Sequence, residues 1–258
     1  MKITNQIEDF YIFEDIFSNH ELNIVSELYS KSDINSLWLN SIKHPGRSLI
    51  NGHKLCEESP IYLNNQRIIN FLFKENSDIL KLIRKSLIHN GHLNDSESQS
   101  PNCLPVDYTY VHRDPTTFSR INDRMGRVFK NITSYAATKF LKTSSNILGN
   151  KEWFVDITYN KADHGYAISS HIDARHRLLS GVIYLVDPPS DRAHEGSFLI
   201  HGSSISVQKE VPIKRNTGVF FLNDLKSYHS TSKFSNWGYS RDFICFSLAN
   251  KSFSNLWQ

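Results

Sequence analysis

Seven short runs decide the fold: WFVDITY (153–159), GYAISSHID (165–173), SGVIYLV (180–186), GSFLIHG (196–202), SISVQKEV (204–211), GVFFLND (218–224) and RDFICFSL (241–248). Each is rich in β-branched and aromatic residues. Turn-forming breaks such as DPPSDRAHEG (187–196) separate them. Short strands at this spacing predict a sandwich or barrel. Upstream the texture differs. Phe10–Phe13 reads as a strand, and Ser18 and Glu21 form a capping box ahead of Leu22, Val25, Leu28 and Tyr29 at helical spacing. Residues 64–87 predict one helix or two, broken near Glu75–Ser77. His89–Pro105 reads as a loop, and Ser119–Leu141 as a second long helix. The expected class is therefore α+β in a single domain over 1–258, with a mainly helical part and a leading strand over 1–150 and a β-core over 151–250.

Composition excludes several function classes. Hydrophobic residues are 39% and charged residues 21% of the 258 residues, which is ordinary for a globular protein. The net charge of +3, with no basic cluster interleaved with aromatics, argues against a nucleic-acid partner. No apolar run reaches the ~18 residues of a membrane helix. No signal-peptide core follows Lys2, so a cytoplasmic protein without a membrane partner is expected. The three cysteines, Cys56, Cys103 and Cys245, are too few and too scattered for a disulfide framework or a Cys-rich zinc site. Cys245, in FICFSL, reads as a buried filler.

Twelve histidines draw more notice. His171 and Asp173 close a predicted strand two residues apart, so a continuing pleat would point both to one face. His229 follows GVFFLND and a turn. Two imidazoles and one carboxylate can hold one face of an octahedral ion and leave open positions, which suits Fe(II) oxygen chemistry. A rival H-x-D, His112-Arg113-Asp114, has no ordered strand series after it and reads as a turn; His176, His194 and His201 read as surface or supporting histidines.

The ordered set HID (171–173), GVIYLV (181–186), EGSFLI (195–200), GVFFLND (218–224), His229 and Arg241 resembles the iron(II)/2-oxoglutarate-dependent dioxygenase superfamily, in its prolyl-hydroxylase-like branch. FYIFEDIFSNHEL (10–22) is similar to that family's opening strand and helix. The resemblance implies a double-stranded β-helix (a jelly-roll, cupin-like) core with the N-terminal helices packed on it. It also implies Fe(II) on His171, Asp173 and His229, with 2-oxoglutarate and O2 as cosubstrates. It places Arg241 on the distal carboxylate of 2-oxoglutarate, and Tyr159 and Tyr184 along the same pocket. An Asp at 173, where halogenating relatives have a small residue, implies hydroxylation. The alternative from another class is a non-catalytic jelly-roll binding protein. The expected partner is a small-molecule or peptidyl substrate. Arg175 and Arg177 follow the metal-ligand candidates directly; an extended chain there projects both to one side and favours an anionic substrate.

Overall fold

The computed structural model describes residues 2–30, 39–40, 46–51, 68, 71–72, 77–93, 104, 106–107, 153–174, 177–204 and 206–250. Its strands are β1 (Lys2–Ile7), β2 (Phe10–Glu14), β3 (Leu39–Asn40), β4 (Arg47–Asn51), β5 (Val106–Asp107), β6 (Trp153–Ala162), β7 (Ile168–His171), β8 (Arg177–Tyr184), β9 (Phe198–Gly202), β10 (Lys209–Val211), β11 (Thr217–Leu222), β12 (Tyr228–Thr231) and β13 (Arg241–Asn250). Helices α1 (Asn19–Ser30) and α2 (Asp78–His89) stand among them. No helix among the described residues is long and apolar enough to cross a membrane.

Both helices begin where side chains satisfy free backbone donors. At α1 the Ser18 N–H donates to Glu21 Oε2 at 2.8 Å, and the Glu21 N–H donates to Ser18 Oγ at 3.4 Å, the reciprocal capping box. At α2 the Ser77 hydroxyl accepts from the Leu80 N–H, so the expected break near Ser77 is a true helix start. The helix expected over 119–141, the rival pair His112 and Asp114, and most of the expected loop up to Pro105 lie outside the described residues.

The strands form two sheets. The larger has the order β1-β2-β11-β8-β13-β6-β4-β3, with β5 pairing β6; the smaller runs β10-β9-β12-β7. The large sheet is buried on both faces, and its sequence shows it: all six residues of β11 are buried, so its run is continuously apolar rather than alternating. On one face, a cluster joins Leu22, Val25 and Tyr29 of α1 and Ile79, Leu80, Ile83 and Leu87 of α2 to sheet residues such as Phe13, Ile157, Ile183 and Leu248. On the other, Val182, Tyr184, Val219, Phe221 and Phe243 of the large sheet pack with Phe198, Ile200 and Val211 of the small one.

The first half of the chain gives more β-structure than a single leading strand. β1 and β2 form a hairpin, and β2 adds to the large sheet beside β11. β1 reads KITNQI, too polar for a core-pattern search, because one neighbour covers it at the sheet edge.

One packing detail can be tested at once. Gly181 of β8 stands opposite Phe220 on one side and Phe246 on the other. A Cβ there would sit 2.5 Å from Cδ1 of Phe220. Gly181→Ala should therefore cost about 1–3 kcal/mol, as overpacking in a filled core does. A denaturant melt checks this; an unchanged midpoint would show that the Phe220 ring moves aside freely.

Candidate metal centre

Cross-strand register brings the two histidines together. β12 pairs β7 with His229 directly opposite His171, and the rings lie 4.3 Å apart between centroids. Asp173 arrives differently. β7 ends at His171, so Asp173 lies in the irregular segment after the strand, just ahead of the turn closed by the Arg177 N–H on the Ala174 carbonyl at 3.0 Å. Asn223, at the end of β11, pins that turn by donating from Nδ2 to the carbonyls of Ala174 and Arg177 at 3.0 and 3.1 Å. One potential ligand atom from each of His171, Asp173 and His229 lies within 4.8 Å of the others.

The backbone sets the imidazole tautomers. His171 Nδ1 is 2.9 Å from the Ser169 carbonyl, and His229 Nδ1 is 2.9 Å from the Ser227 carbonyl. A carbonyl only accepts, so each Nδ1 carries a hydrogen, and in the neutral ring Nε2 keeps the free lone pair. The His229 ring stacks on Phe198 at 5.2 Å and 7°, with Phe221 4.5 Å away. That dry setting takes the His229 pKa down to about 4, burial being the largest cause. His171 moves the other way: its hydrogen bond to Asp173 raises its pKa against the opposing effect of burial. Burial pushes the Asp173 carboxyl up. The His171 hydrogen bond and the Arg177 and His229 charges outweigh it and hold the group well below the usual carboxylate range.

The arginines divide. Arg177 Nη1 lies 3.8 Å from Asp173 Oδ2, so its head group faces the candidate centre; Arg175 is outside the described residues. Arg241, the first residue of β13, is 1% exposed. Its Nη1 donates to the Gly196 carbonyl at 2.8 Å, while its Nε has no partner among the described residues. No carboxylate pairs with it there. Aromatic faces surround it instead: Phe243 at 5.0 Å, Tyr166 at 5.3 Å and Phe234 at 5.6 Å. The buried hydroxyl of Tyr184 also lacks a partner among the described residues, whereas that of Tyr166 feels the nearby Arg47 guanidinium. Phe198 and Phe221, which flank His229, belong to the same apolar cluster as Tyr184, Tyr166 and Phe243 around Arg241.

Tyr159 requires a correction. It lies on the opposite face of the large sheet, in the cluster under the helices, edge-on to Tyr29 at 6.3 Å. It sits an odd number of residues from Ala162, so the pleat turns it away from the face that Ala162 and Tyr184 share. Tyr159 is core. Tyr166 is the residue that sequence reading missed, inside a run chosen only for its strand character. His194 is exposed, whereas His201 is buried with Nε2 2.8 Å from Ser230 Oγ. Burial pushes the Cys245 thiol up, consistent with an unreactive side chain.

No protein-family model matches the chain, and no curated protein matches it in sequence. Among solved structures it is similar to a prolyl-4-hydroxylase of Pseudomonas putida, at 8% identity over 94% of this chain and 93% of the other, with TM-score 0.45. It is also similar to a prolyl hydroxylase of Trichoplax adhaerens, solved with a hypoxia inducible factor peptide fragment, at 10% identity over 97% and 87%, with TM-score 0.46. A third is HygX of Streptomyces hygroscopicus, solved with nickel and 2-oxoglutarate, at 10% identity over 97% and 85%, with TM-score 0.46.

Proposed function

We propose that this chain is an Fe(II)- and 2-oxoglutarate-dependent dioxygenase that hydroxylates a C–H bond of a small molecule or an amino-acid side chain, with succinate and CO2 as coproducts. One observation carries the reading. A donor set of two Nε2 lone pairs and one deprotonated carboxylate shares its apolar cluster with a buried arginine that has no carboxylate partner among the described residues.

Both absent groups fit the residues present. The donor set suits a divalent ion of the iron class and leaves coordination positions open for other ligands. Around Arg241, its Nε and the Tyr184 hydroxyl are buried without partners among the described residues. Buried polar groups of this kind are rare unless a ligand or water completes them. A carboxylate would complete them, since a guanidinium fork matches its two oxygens. When bound, Fe(II) with 2-oxoglutarate and O2 supplies the oxidising power for an unactivated C–H bond. The chain's own part is to fix and exclude: the Ser169 and Ser227 carbonyls hold the imidazole tautomers, Asn223 holds the turn, and Phe198 and Phe221 keep water from His229. The two facing sheets support the double-stranded β-helix expectation. Arg177, beside Asp173, supports an entrance that favours an anionic substrate.

The test is anaerobic reconstitution with Fe(II) and 2-oxoglutarate, admission of O2, and measurement of succinate across a metabolite panel. Iron-dependent succinate release is the expected result; none from iron-loaded protein would overturn the reading. Proton release adds a second check. Asp173 is already deprotonated and His229 already neutral well below neutral pH, whereas His171, with its raised pKa, must give up its proton. Iron affinity should fall as pH falls through the His171 pKa, the proton release approaching one per ion bound below it while His229 stays neutral. Calorimetry in buffers of different ionisation enthalpy would show a slope of two protons if His229 were also charged.

A further inference from the structure

One row of the large sheet leads away from the candidate metal centre and ends on an aspartate. Cross-strand register defines it. Phe221 of β11 stands opposite Ser180 of β8, Ser180 opposite Ser247 of β13, and Ser247 opposite Asp156 of β6. All four side chains take the face that meets the small sheet. Phe221 belongs to the cluster between the sheets. Ser247 alternates with Phe246 and Leu248, and Asp156 with Val155 and Ile157, all of which face the helices. Ser180 stands between Leu179, which also faces the helices, and Gly181, where an added Cβ would meet Phe220 on that side.

Contacts fix the metal end of this row. The Phe221 ring lies 4.5 Å from that of His229. Arg177, three residues before Ser180 on the same strand, has Nη1 3.8 Å from Asp173 Oδ2. From Ser180 to Asp156 is two strand spacings, about 10 Å. Ser180 and Ser247 are buried, whereas Asp156 is half-buried. Asp156 makes no hydrogen bond and no ion pair among the described residues. A carboxylate taken partly out of water needs a ligand or water to complete it. The outer neighbour of β6 also changes here. Among the described residues, β4 pairs it as far as Asn51 opposite Thr158, and β5 pairs it at Trp153 and Phe154. Asp156 falls in the break between them.

We propose that Asp156 is a specificity-determining residue of the candidate site, whose carboxylate takes a protonated amine of the substrate. The inference rests on the oxygenase reading above and names a substrate class for it. With Arg177 beside the metal ligands, the row has a cation at one end and an anion at the other. A dipolar molecule matches it: an amino acid with its carboxylate toward Arg177 and an amine toward Asp156. The two serines between these ends are small, so the row forms a floor across which such a molecule can lie with a C–H bond near the metal.

The probes are free L-amino acids, the basic ones included, each paired with the form acetylated at its amines. Succinate release is measured with the Fe(II)-loaded full chain, 2-oxoglutarate and O2. The wild type should work faster on at least one free amino acid than on its acetylated pair. Asp156→Asn keeps the shape and removes the charge. It should raise the KM for that amino acid about tenfold or more, the size of a lost charge-assisted contact, and change kcat less. Asp156→Glu should recover part of the loss. Fe(II) and 2-oxoglutarate affinities, measured anaerobically by calorimetry, should stay at wild-type values in both variants. Three results would each overturn the inference: no response to any free amino acid, a preference for the acetylated forms, or an unchanged KM in Asp156→Asn. An equal loss of 2-oxoglutarate affinity would overturn it too, by placing Asp156 on the cosubstrate. Failure of the iron-loaded wild type to bind 2-oxoglutarate is a different result, and would overturn the oxygenase reading itself.

Discussion

Replacing any one of His171, Asp173 or His229 with alanine is expected to abolish stoichiometric Fe(II) binding. Each provides one of the converging donor atoms, and two remaining protein ligands compete poorly with water. The loss should exceed the roughly 10–100-fold that removal of an outer hydrogen-bond partner typically causes. His229→Ala carries a further cost, because it leaves a hole between Phe198, Phe221 and the His171 ring. Thermal melts of the apo-proteins separate that packing loss from the loss of a ligand. His194→Ala, at an exposed position, serves as the control and should bind iron normally. Wild-type iron affinity in all three site variants would remove the metal centre from this end of the small sheet.

The second large effect is expected at Arg241. Arg241→Ala should raise the 2-oxoglutarate concentration needed for turnover by two orders of magnitude or more, since breaking a buried charge pair typically costs about 3–5 kcal/mol. The iron requirement should not change. Arg241→Lys should recover little, because an ammonium lacks the planar fork. Stability should move the other way. Without ligand the guanidinium is buried with no counter-charge among the described residues, and burial lowers its pKa. Arg241→Met apo-protein is therefore expected to melt at or above the wild-type temperature while losing 2-oxoglutarate dependence. Unchanged 2-oxoglutarate dependence would require another cation. Lys214 and Arg215 are poor substitutes, since both are exposed: Lys214 lies near Glu14, and the Arg215 side chain reaches Ser26.

Much of this was legible in the chain. The capping box at Ser18 and Glu21 and the run GVFFLND gave α1 and β11 because each pattern is local. β12 was harder. YHST is four residues long and half polar, and it becomes a strand only because β9 and β7 lie on either side of it. The turn after Asp173 depends on Asn223, fifty residues away, and no periodicity encodes that contact. Tyr159 and Tyr184 both carry a phenol on a β-run, and only the sheet's pleat tells which face each takes. The place of β4 was invisible for a related reason, since it pairs with β6 more than a hundred residues away in sequence.

Among the described strands of the large sheet β13 is the last to be synthesised, yet it lies in the interior, hydrogen-bonded to β6 on one side and β8 on the other. On the ribosome, β6 and β8 therefore emerge with nothing between them. Each waits with an open edge until residues 241–250 leave the exit tunnel. A sheet closed by so late a strand folds slowly, because distant pairings must form before they stabilise anything. During that interval the exposed edges invite pairing with other nascent chains. A chain ending anywhere before Arg241 would lack this central strand. It would lack the buried arginine and display two unpaired apolar edges, so its fate would lie with chaperones and proteases.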